Sequence, residues 1–403
     1  MKFGIIREGK VPPDARVPLN PVQCASILKD FDLELLVQPS PKRCFGDEEY
    51  QGLEIPMQED ISECDVLLGV KEVPIDQLIP NKTYLFFSHT IKAQVYNQPL
   101  LKAVVDKNIR LIDYEVLTDE LGRRLIAFGK FAGMVGAHNG LLTYGLRTGA
   151  FDLQRMHKFK DYAEAKAAYT TMEWPPVKVV LTGNGRVANG AALVLKDMGI
   201  QQVSPKDFLA KDFTKAVFTQ LSVKDYVARE DDTSFEIQQF FQNPQNYKSI
   251  FAPYTQRADI MINGIYWDNA APAFFSKEEM AEPDWKIGVI ADVTCDIAPV
   301  SSIPSTLRAS TIADPFFAYD PKIHKEVAAF TKGAIDMMTI DNLPNELPRD
   351  ASTAFGQQFI EHILPEFFKA ESDILSRATV AQNGNLGPHF EYLRDYLNGV
   401  FQS

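Results

Sequence analysis

Residues 177–195 read Val177-Lys-Val-Val-Leu-Thr-Gly183-Asn-Gly185-Arg-Val-Ala188-Asn-Gly-Ala-Ala-Leu-Val-Leu195. A β-branched apolar run precedes the glycines and an apolar helical run follows them, so the stretch predicts a strand, a glycine turn and a helix. The G-x-G-x-x-A spacing of Gly183, Gly185 and Ala188 is typical of turns that bind the pyrophosphate of a dinucleotide. The stretch therefore predicts an α/β fold built on a parallel sheet.

There is a physical reason why each of the three motif positions of this turn carries a small residue. Gly183 permits the tight turn, Gly185 lets the backbone approach the pyrophosphate, and Ala188 allows close packing of the helix on the strand. Phosphate is expected on the amide groups at the helix N-terminus, so Arg186 and Val187 are further cofactor-binding candidates. We expect a nicotinamide coenzyme, NAD or NADP, and not a flavin.

The segment Ile200–Asp207 is the expected next strand, although it carries a proline. Asp207 is expected to hold the ribose 2′-OH of NAD, as the acidic residue of such folds does. Ser204 and Lys206 suit the 2′-phosphate of NADP equally well. The sequence leaves the choice between NAD and NADP open.

Two more buried strands are expected in this half of the chain. Residues 258–267 and 287–296 are apolar runs that end in polar side chains. Because ligands of open α/β sheets bind outside the carboxyl ends of the strands, Tyr266 and Asp296 are expected to face the cofactor.

The first third of the chain carries two candidates for acid–base chemistry. Val66–Glu72 and Thr83–His89 read as short buried strands that end in Lys71-Glu72 and in His89. Burial moves the pKa of lysine and histidine toward neutrality, so both can exchange protons during turnover. Alone, such a Lys-Glu pair is commonly a solvated turn and such a histidine a structural residue. Together with a dinucleotide motif they favour an active site, to which Lys92, Glu115 and Arg124 are expected to belong.

Composition narrows the class of protein. A length of 403 residues suits two domains, and a formal net charge of −12 argues against nucleic acid or an anionic membrane as partner. With no long apolar run and no signal peptide at the start, we expect a cytoplasmic protein. The four cysteines have neither a disulfide pattern nor ligand spacing, so no metal site is expected.

The order of elements predicts two Rossmann-like α/β domains whose parallel sheets face each other across a cleft. A substrate and catalytic domain is expected from residues 1–130 plus 326–403, and a dinucleotide-binding domain from 131–325. Helices are expected at Pro21–Asp30 and Asn97–Lys107, at the small-residue stretch from Gly129 to about Gly145, and from Ala351 through Phe368 to Tyr396. Phe235–Tyr247 is the expected insertion.

Several motifs resemble one known family. The chain is similar to lysine-forming saccharopine dehydrogenase and to the lysine-ketoglutarate reductase domain of aminoadipic semialdehyde synthases, and more distantly to alanine dehydrogenase and transhydrogenase. The likeness covers nearly the whole chain. The stretches that carry it are Phe86–Gln94, Asp113–Glu115, Ala127–Gly133, Asn243–Phe251, Met261–Trp267, Asp296-Ile297 with Ser302–Ser305, and Asp341–Pro348.

The resemblance implies a reversible, NAD(P)-dependent joining of lysine to 2-oxoglutarate. It implies that Lys71 and His89 are the acid–base pair and that Glu72 and Glu115 tune their pKa values. It further implies that Arg16 clamps a substrate carboxylate with its two-pronged guanidinium. Lys92 and Arg124 are second candidates for binding carboxylates.

Two alternatives stay open. One is an alanine dehydrogenase-like enzyme that deaminates a small amino acid, which the extra cations Lys92 and Arg124 disfavour. The other is a catalytically silent nucleotide-binding protein, which the presence of Lys71, His89 and Arg16 disfavours. Small-molecule amino acids and oxoacids are the expected partners. The sequence does not decide between a monomer and a homodimer, nor between lysine synthesis and degradation.

Overall fold

A computed structural model describes residues 1–231 and 233–401 of the chain. Its strands, in chain order, are β1 (Lys2–Ile5), β2 (Glu34–Val37), β3 (Val66–Leu68), β4 (Thr83–Phe86), β5 (Arg110–Asp113), β6 (Lys178–Thr182), β7 (Gln201–Gln202), β8 (Val217–Leu221), β9 (Val227–Arg229), β10 (Tyr247–Ser249), β11 (Ile260–Asn263), β12 (Val289–Asp292), β13 (Phe316–Asp320), β14 (Lys325–Val327), β15 (Ile335–Met338), β16 (Thr379–Gln382) and β17 (Asn385–Leu386).

The α-helices of the described residues are α1 (Pro21–Asp30), α2 (Asp47–Gln51), α3 (Gln98–Asp106), α4 (Gly129–Thr148), α5 (Tyr162–Tyr169), α6 (Arg186–Asp197), α7 (Pro205–Ala210), α8 (Ile237–Gln242), α9 (Ala252–Thr255), α10 (Pro348–His362), α11 (Asp373–Ala378) and α12 (Arg394–Leu397). Short 3₁₀ turns connect many of these elements, among them Thr90–Lys92 and Leu364–Phe368.

The chain forms two compact units. The first unit combines Met1–Phe128 with the chain from Pro348 onward, and the second unit is Gly129–Leu347. The sequence placed the second boundary near residue 325. In the structure the boundary lies further along the chain, because β15 (Ile335–Met338) pairs with β12 and β13 and so belongs to the sheet of the second unit.

The first unit is built on a sheet with the order β17-β16-β5-β4-β3-β1-β2. The strands β1 to β5 are parallel, and β16 and β17 add an antiparallel edge beside β5. Apolar side chains such as Leu67, Leu111 and Val380 are fully buried in its core. The order of strands reverses at β1, since β2 lies on one side of it and β3 on the other.

The C-terminal stretch differs from the continuous helical pattern that the sequence predicted. The helix α10 ends at His362, and Thr379–Leu386 forms the hairpin of β16 and β17 instead of a helix. Its two-residue turn is Asn383-Gly384, and both residues have positive φ, 51° and 69°. Asn-Gly is the commonest sequence of this tight turn, because both residues tolerate that conformation.

The second unit is built on a sheet with the order β14-β13-β15-β12-β11-β6-β8-β7, parallel from β15 to β7. The small-residue helix α4 packs on α6 almost backbone to backbone. A Cβ atom built on Gly133 would lie 1.8 Å from the carbonyl oxygen of Val187, and one built on Gly190 would lie 2.0 Å from that of Lys130. These two glycines are therefore required by helix packing alone.

The predicted fold class, two α/β units with mostly parallel sheets, is confirmed. The expected cleft between the units stays a prediction. Within the described part of the chain, no helix combines the length and the apolar composition that a membrane span requires.

Candidate active site and dinucleotide turn

Lys71 and His89 both follow the carboxyl ends of central parallel strands of the first unit. Lys71 comes three residues after β3 and His89 three residues after β4. The strand order reverses between β1 and β3, and ligands of open α/β sheets bind at such a reversal, outside the strand ends. The loops after β1, β3 and β4 therefore meet where a ligand site is expected.

Glu72 connects His89 to a second cation. The Nδ1 atom of His89 lies 2.5 Å from Oε1 of Glu72, and the Lys10 ammonium donates to Oε2 of Glu72 at 2.8 Å. Burial alone would raise the pKa of Glu72, but the hydrogen bond from His89 and the Lys10 ammonium outweigh it and lower this pKa to about 2. Glu72 is therefore an anion that orients the imidazole through Nδ1 and leaves proton exchange to Nε2.

His89 has φ 54°, a left-handed conformation that is uncommon for a residue with a side chain. Such backbone strain persists only where neighbouring groups enforce it, and it concentrates at functional sites. Here Asp113 holds the preceding residue, because its Oδ2 accepts hydrogen bonds from the backbone N–H of Ser88 at 3.0 Å and from the Ser88 hydroxyl at 2.5 Å. The loop that presents the imidazole is thus fixed from the end of the neighbouring strand β5.

Lys71 carries an amine that titrates near neutrality. Burial, and then the positive charges of Arg16 and Lys10, lower the pKa of Lys71 from 10.5 to about 8. In the described part of the chain its Nζ atom has no hydrogen-bond or ion-pair partner. A partly buried amine of this kind can take up or release a proton at a reacting group.

Glu115, Lys92 and Arg124, which the sequence analysis named as candidates, form one cluster. The Glu115 carboxylate pairs with Arg124 and lies 3.5 Å from the Lys92 ammonium. Burial would raise the pKa of Glu115, but Lys92, Arg124 and the nearby His89 lower it instead. The side chains of Lys92 and Arg124 are 49% and 44% exposed, so both cations remain accessible to a dissolved anion.

The environment of Arg16 differs from the expected substrate clamp. Its Nε and Nη2 atoms donate to the two carboxylate oxygens of Asp14, at 2.9 and 2.6 Å, and the guanidinium lies 4.3 Å from the ring centre of Phe128. The side chains of Arg16 and Asp14 are only 3% and 1% exposed. The two-pronged edge that was expected to hold a substrate carboxylate therefore holds Asp14.

The dinucleotide turn has the conformation that the sequence predicted. Gly183 has φ 101°, and a Cβ there would lie 2.8 Å from the carbonyl oxygen of Gly264. Gly185 is the N-cap of α6, and a Cβ built on it would meet no protein atom within 4 Å. Since no neighbouring atom requires a glycine at 185, the open space in front of the helix N-terminus fits a bound pyrophosphate. Arg186 and Val187 open α6, and Ala188 is buried against the sheet.

Asp207 does not lie at the strand end where a ribose contact was expected. The strand beside β6 is β8, and β7 is the strand beyond it. Gln202, the last residue of β7, pairs with Phe218, which is level with Val179, so β7 stops three residues before Thr182 ends β6. Asp207 then lies in α7, where it pairs with Lys211 and its N–H is capped by Ser204. The assignment of Asp207 to the ribose therefore stays a prediction, and the strand order puts the Ser222–Asp225 turn, after β8, next to the end of β6.

The other expected cofactor residues follow their strands as predicted. Tyr266 lies in the loop after β11 and is 93% exposed, and Asp296 is half-buried in the loop after β12. Beneath these loops Asn263 links two strands, donating to Asp292 at 2.9 Å and accepting from the Thr182 hydroxyl at 2.8 Å.

An apolar cavity of about 260 Å³ adjoins the loops after β8 and β11. Val223 and Ile265 come from those two loops, and Tyr226 and Phe240 from the segment that the sequence identified as an insertion and its flank. Ile265 also contacts the glycine turn, since a Cβ on Gly183 would lie 3.3 Å from its Cγ2. One wall residue of the cavity, Ile265, thus lies beside the dinucleotide turn.

Sequence reasoning missed Glu8, Lys10, Asp14 and Asp113. The first three follow β1, and the argument that selected Lys71 and His89 by strand ends applies equally to that strand. Over residues 1–231 and 233–401, no group of three or more His, Cys, Asp or Glu side chains is arranged to hold a metal ion.

Comparison with known proteins shows which families the chain is similar to. Residues 4–135 match the family model of the alanine dehydrogenase/PNT N-terminal domain. The chain is 32% identical over 436 residues to the mitochondrial alpha-aminoadipic semialdehyde synthase of Mus musculus, an alignment that covers 94% of this chain and 46% of that protein. The chain therefore spans less than half the length of that relative.

A second relative matches this chain over most of the length of both proteins. The saccharopine dehydrogenase [NAD(+), L-lysine-forming] of Emericella nidulans is 25% identical, over 89% of this chain and 90% of its own length. Among solved structures, an L-alanine dehydrogenase has the same fold, with a TM-score of 0.67 at 15% identity over 98% of this chain and 100% of that one. Residues 4–135 are therefore similar to the alanine dehydrogenase/PNT N-terminal domain, and the resemblance to the saccharopine dehydrogenases and aminoadipic semialdehyde synthases that its motifs indicated is confirmed.

Proposed function

We propose that this protein is an oxidoreductase of the CH–NH group: saccharopine, NAD(P)⁺ and water give L-lysine, 2-oxoglutarate, NAD(P)H and a proton, reversibly. The observation that carries the proposal is the group of Lys71, His89 and Glu72 at the reversal of strand order in the first unit. Two ionisable side chains of different type, one held by a carboxylate and one without a hydrogen-bond or ion-pair partner among the described residues, suit a reaction with two distinct proton transfers. The similarity to saccharopine dehydrogenases supports the same substrate class.

The chemistry divides between the two units. A nicotinamide coenzyme bound at the glycine turn of the second unit supplies the hydride acceptor. The substrate nitrogen must lose a proton as the adjacent carbon loses hydride, and the resulting imine must then be hydrated and cleaved. Lys71 and His89 share these proton transfers: the Lys71 amine is uncharged above a pH of about 8 and can accept a proton, and Glu72 orients the imidazole of His89 through Nδ1.

Substrate carboxylates would bind at Lys92 and Arg124. Both cations are about half exposed and share Glu115, so an incoming carboxylate can replace part of their contact with it. Arg16 would act through its charge, which contributes to the lowered pKa of Lys71, while its two-pronged edge stays on Asp14. This assignment separates the residues that hold the substrate from those that move protons.

Coenzyme binding is proposed at Gly183, Gly185, Arg186, Val187 and Ala188, with the adenine ring in the apolar cavity beside Ile265. The exposed Tyr266 and the half-buried Asp296 flank this region on the loops that follow β11 and β12. Apolar and aromatic walls suit a planar heterocycle, which buries both faces. The choice between NAD and NADP depends on the turn after β8.

The test is a coenzyme-oxidation screen of the purified protein with NADH and with NADPH. Lysine with 2-oxoglutarate is the expected active pair. Ammonia with pyruvate is included because activity there would instead favour an alanine dehydrogenase-like enzyme. Coenzyme binding without turnover of any amine and oxoacid would contradict the proposal and leave a silent nucleotide-binding protein.

We place the protein in the cytoplasm, with small molecules as its partners, and as a monomer or a homodimer. All four cysteines are free thiols, as a reducing compartment requires. The animal relatives are named mitochondrial, so fractionation of the source cells is the deciding measurement. Light scattering on the purified protein would distinguish monomer from dimer.

A further inference from the structure

The Glu8 carboxylate accepts hydrogen bonds from the backbone that carries Lys71. It lies three residues after β1, and its two carboxylate oxygens accept hydrogen bonds from consecutive N–H groups of the loop after β3: Val70 to Oε1 at 2.6 Å and Lys71 to Oε2 at 2.9 Å. The ladder between β1 and β3 ends just before this point, since Ile6 donates to Leu68 as its last bond. Without Glu8 these two N–H groups would lack a partner in the part of the chain that the structure describes, which is costly for partly buried backbone.

The position of the Lys71 amine depends on this backbone. Its Nζ atom has no partner within the described residues, so no hydrogen bond to the amine itself fixes where it lies. Orientation must then come from the main chain and the packing around the stem. A misplacement of ~1 Å in a reacting group can lower a rate by about 10²-fold, so holding the Lys71 backbone has catalytic consequences.

The same arrangement occurs at His89. There Asp113, from the adjacent strand, accepts from the backbone N–H and the hydroxyl of Ser88, immediately before the histidine. Each acid–base side chain thus follows a backbone segment held by a carboxylate from a neighbouring strand. The repetition at two separate strand ends argues against a coincidental contact.

We propose that Glu8 is a positioning residue of the active site, which fixes the Val70–Lys71 backbone so that the Lys71 amine meets the reacting nitrogen. This inference rests on the proposed function. Burial and the charge of Asp14 raise the pKa of the Glu8 carboxyl to about 8, although the N–H groups of Lys71 and Val70 and the charge of Arg16 act to lower it.

The test compares Glu8→Gln with Glu59→Gln. A glutamine has one acceptor oxygen and places its NH₂ against an N–H donor, so it cannot hold both groups. Glu59 is a matched control, because it is a 68% exposed glutamate that pairs with Arg7, the neighbour of Glu8. We expect Glu8→Gln to lower kcat by about 10-fold to 100-fold, with little change in the KM for coenzyme and a displaced alkaline limb of the pH–rate profile, and Glu59→Gln to change none of these.

A second measurement does not depend on turnover. Amide hydrogen exchange at residues 69–72 is expected to be at least tenfold faster in Glu8→Gln than in the wild type and unchanged in Glu59→Gln. Faster exchange in a protein that shows no saccharopine activity would support the role of Glu8 in holding the Val70–Lys71 backbone and would contradict the proposed reaction. Unchanged exchange, or normal kcat in an active enzyme, would overturn the role of Glu8. If Glu8→Gln does not fold, Glu8→Asp serves instead, because the shorter carboxylate cannot span both N–H groups and full activity would refute the proposal.

Discussion

The Nδ1 atom of His89 lies 2.5 Å from Oε1 of Glu72, and the two residues come from the ends of adjacent parallel strands. The contact joins two sequence positions that are 17 residues apart, and it gives the histidine a fixed orientation in a loop where its backbone is strained. Glu72 therefore anchors the imidazole ring of His89.

This pair predicts a loss of stability in acid. The pKa of Glu72 in the folded chain is about 2, below its ordinary value of 4.5, so the carboxylate stabilises the fold above pH 4.5 and loses this contribution as the pH falls toward 2. The contribution is at most about 3 kcal/mol. Urea unfolding between pH 6 and pH 3 should show a smaller loss of unfolding free energy in Glu72→Gln than in the wild type. An exposed control, Glu371→Gln, should keep the wild-type dependence.

The lowered pKa of Lys71 predicts that replacing this lysine stabilises the fold but lowers the activity. Its pKa is lowered from 10.5 to about 8, so the folded state binds fewer protons than the unfolded state between these values, and stability rises with pH in that window. Lys71→Met removes a buried charge and should raise the unfolding free energy at pH 7 by about 1–3 kcal/mol. The same change should lower kcat by about 10²–10⁴-fold. A less stable variant, or one with normal kcat, would show that the lysine is structural.

The sequence predicted those features that depend on local pattern. Lys71 and His89 follow strand ends that the sequence identified, because apolar runs indicate buried strands and parallel strands end at one edge. Pairing between distant segments is not visible in the sequence: Asp207 follows a strand that is not the neighbour of β6, and Asp14 occupies the fork of Arg16. The hairpin at Asn383-Gly384 was missed although its turn sequence is a strong local signal.

The Arg16–Asp14 pair predicts a large effect on folding. Both side chains are almost fully buried, so removal of one takes a close opposite charge away from the other. Arg16→Met should lower the unfolding free energy by about 3–5 kcal/mol. The double variant Arg16→Met/Asp14→Asn should recover part of this loss, because neither charge remains. If the single variant is as stable as the wild type, Asp14 is not held by Arg16 in solution, and the fork is then available to a substrate.

The two glycines of α6 should respond differently to a side chain. A Cβ at Gly185 meets no protein atom, whereas a Cβ at Gly190 would lie 2.0 Å from the carbonyl oxygen of Lys130. Gly185→Val should therefore keep a near-normal melting temperature and weaken coenzyme binding by at least tenfold, measured by fluorescence titration. Gly190→Val should lower the melting temperature strongly. Normal coenzyme affinity in a folded Gly185→Val would count against the pyrophosphate site.

We expect the turn after β8 to contact the adenosine ribose of the coenzyme. In the usual dinucleotide fold, the residue that contacts the ribose ends the strand next to the glycine turn. That strand is β8, since the N–H of Gly183 donates to the carbonyl oxygen of Leu221 at 2.8 Å. The following turn is held by Asp225, whose Oδ2 accepts from the N–H and the hydroxyl of Ser222 at 2.8 and 2.5 Å.

Asp225→Ala should therefore weaken the binding of NADH or NADPH, whichever the protein prefers, by about tenfold, because the turn loses both of its hydrogen bonds and the ribose loses a fixed surface. Asp207→Ala removes a carboxylate of the same type from α7, where it contacts Lys211, and should change coenzyme affinity less than about twofold. Titration of coenzyme fluorescence with the two purified variants measures both effects without turnover. Weaker binding in Asp207→Ala and normal binding in Asp225→Ala would mean that the segment after β7 reaches the ribose in solution, and the strand order would then no longer locate the coenzyme.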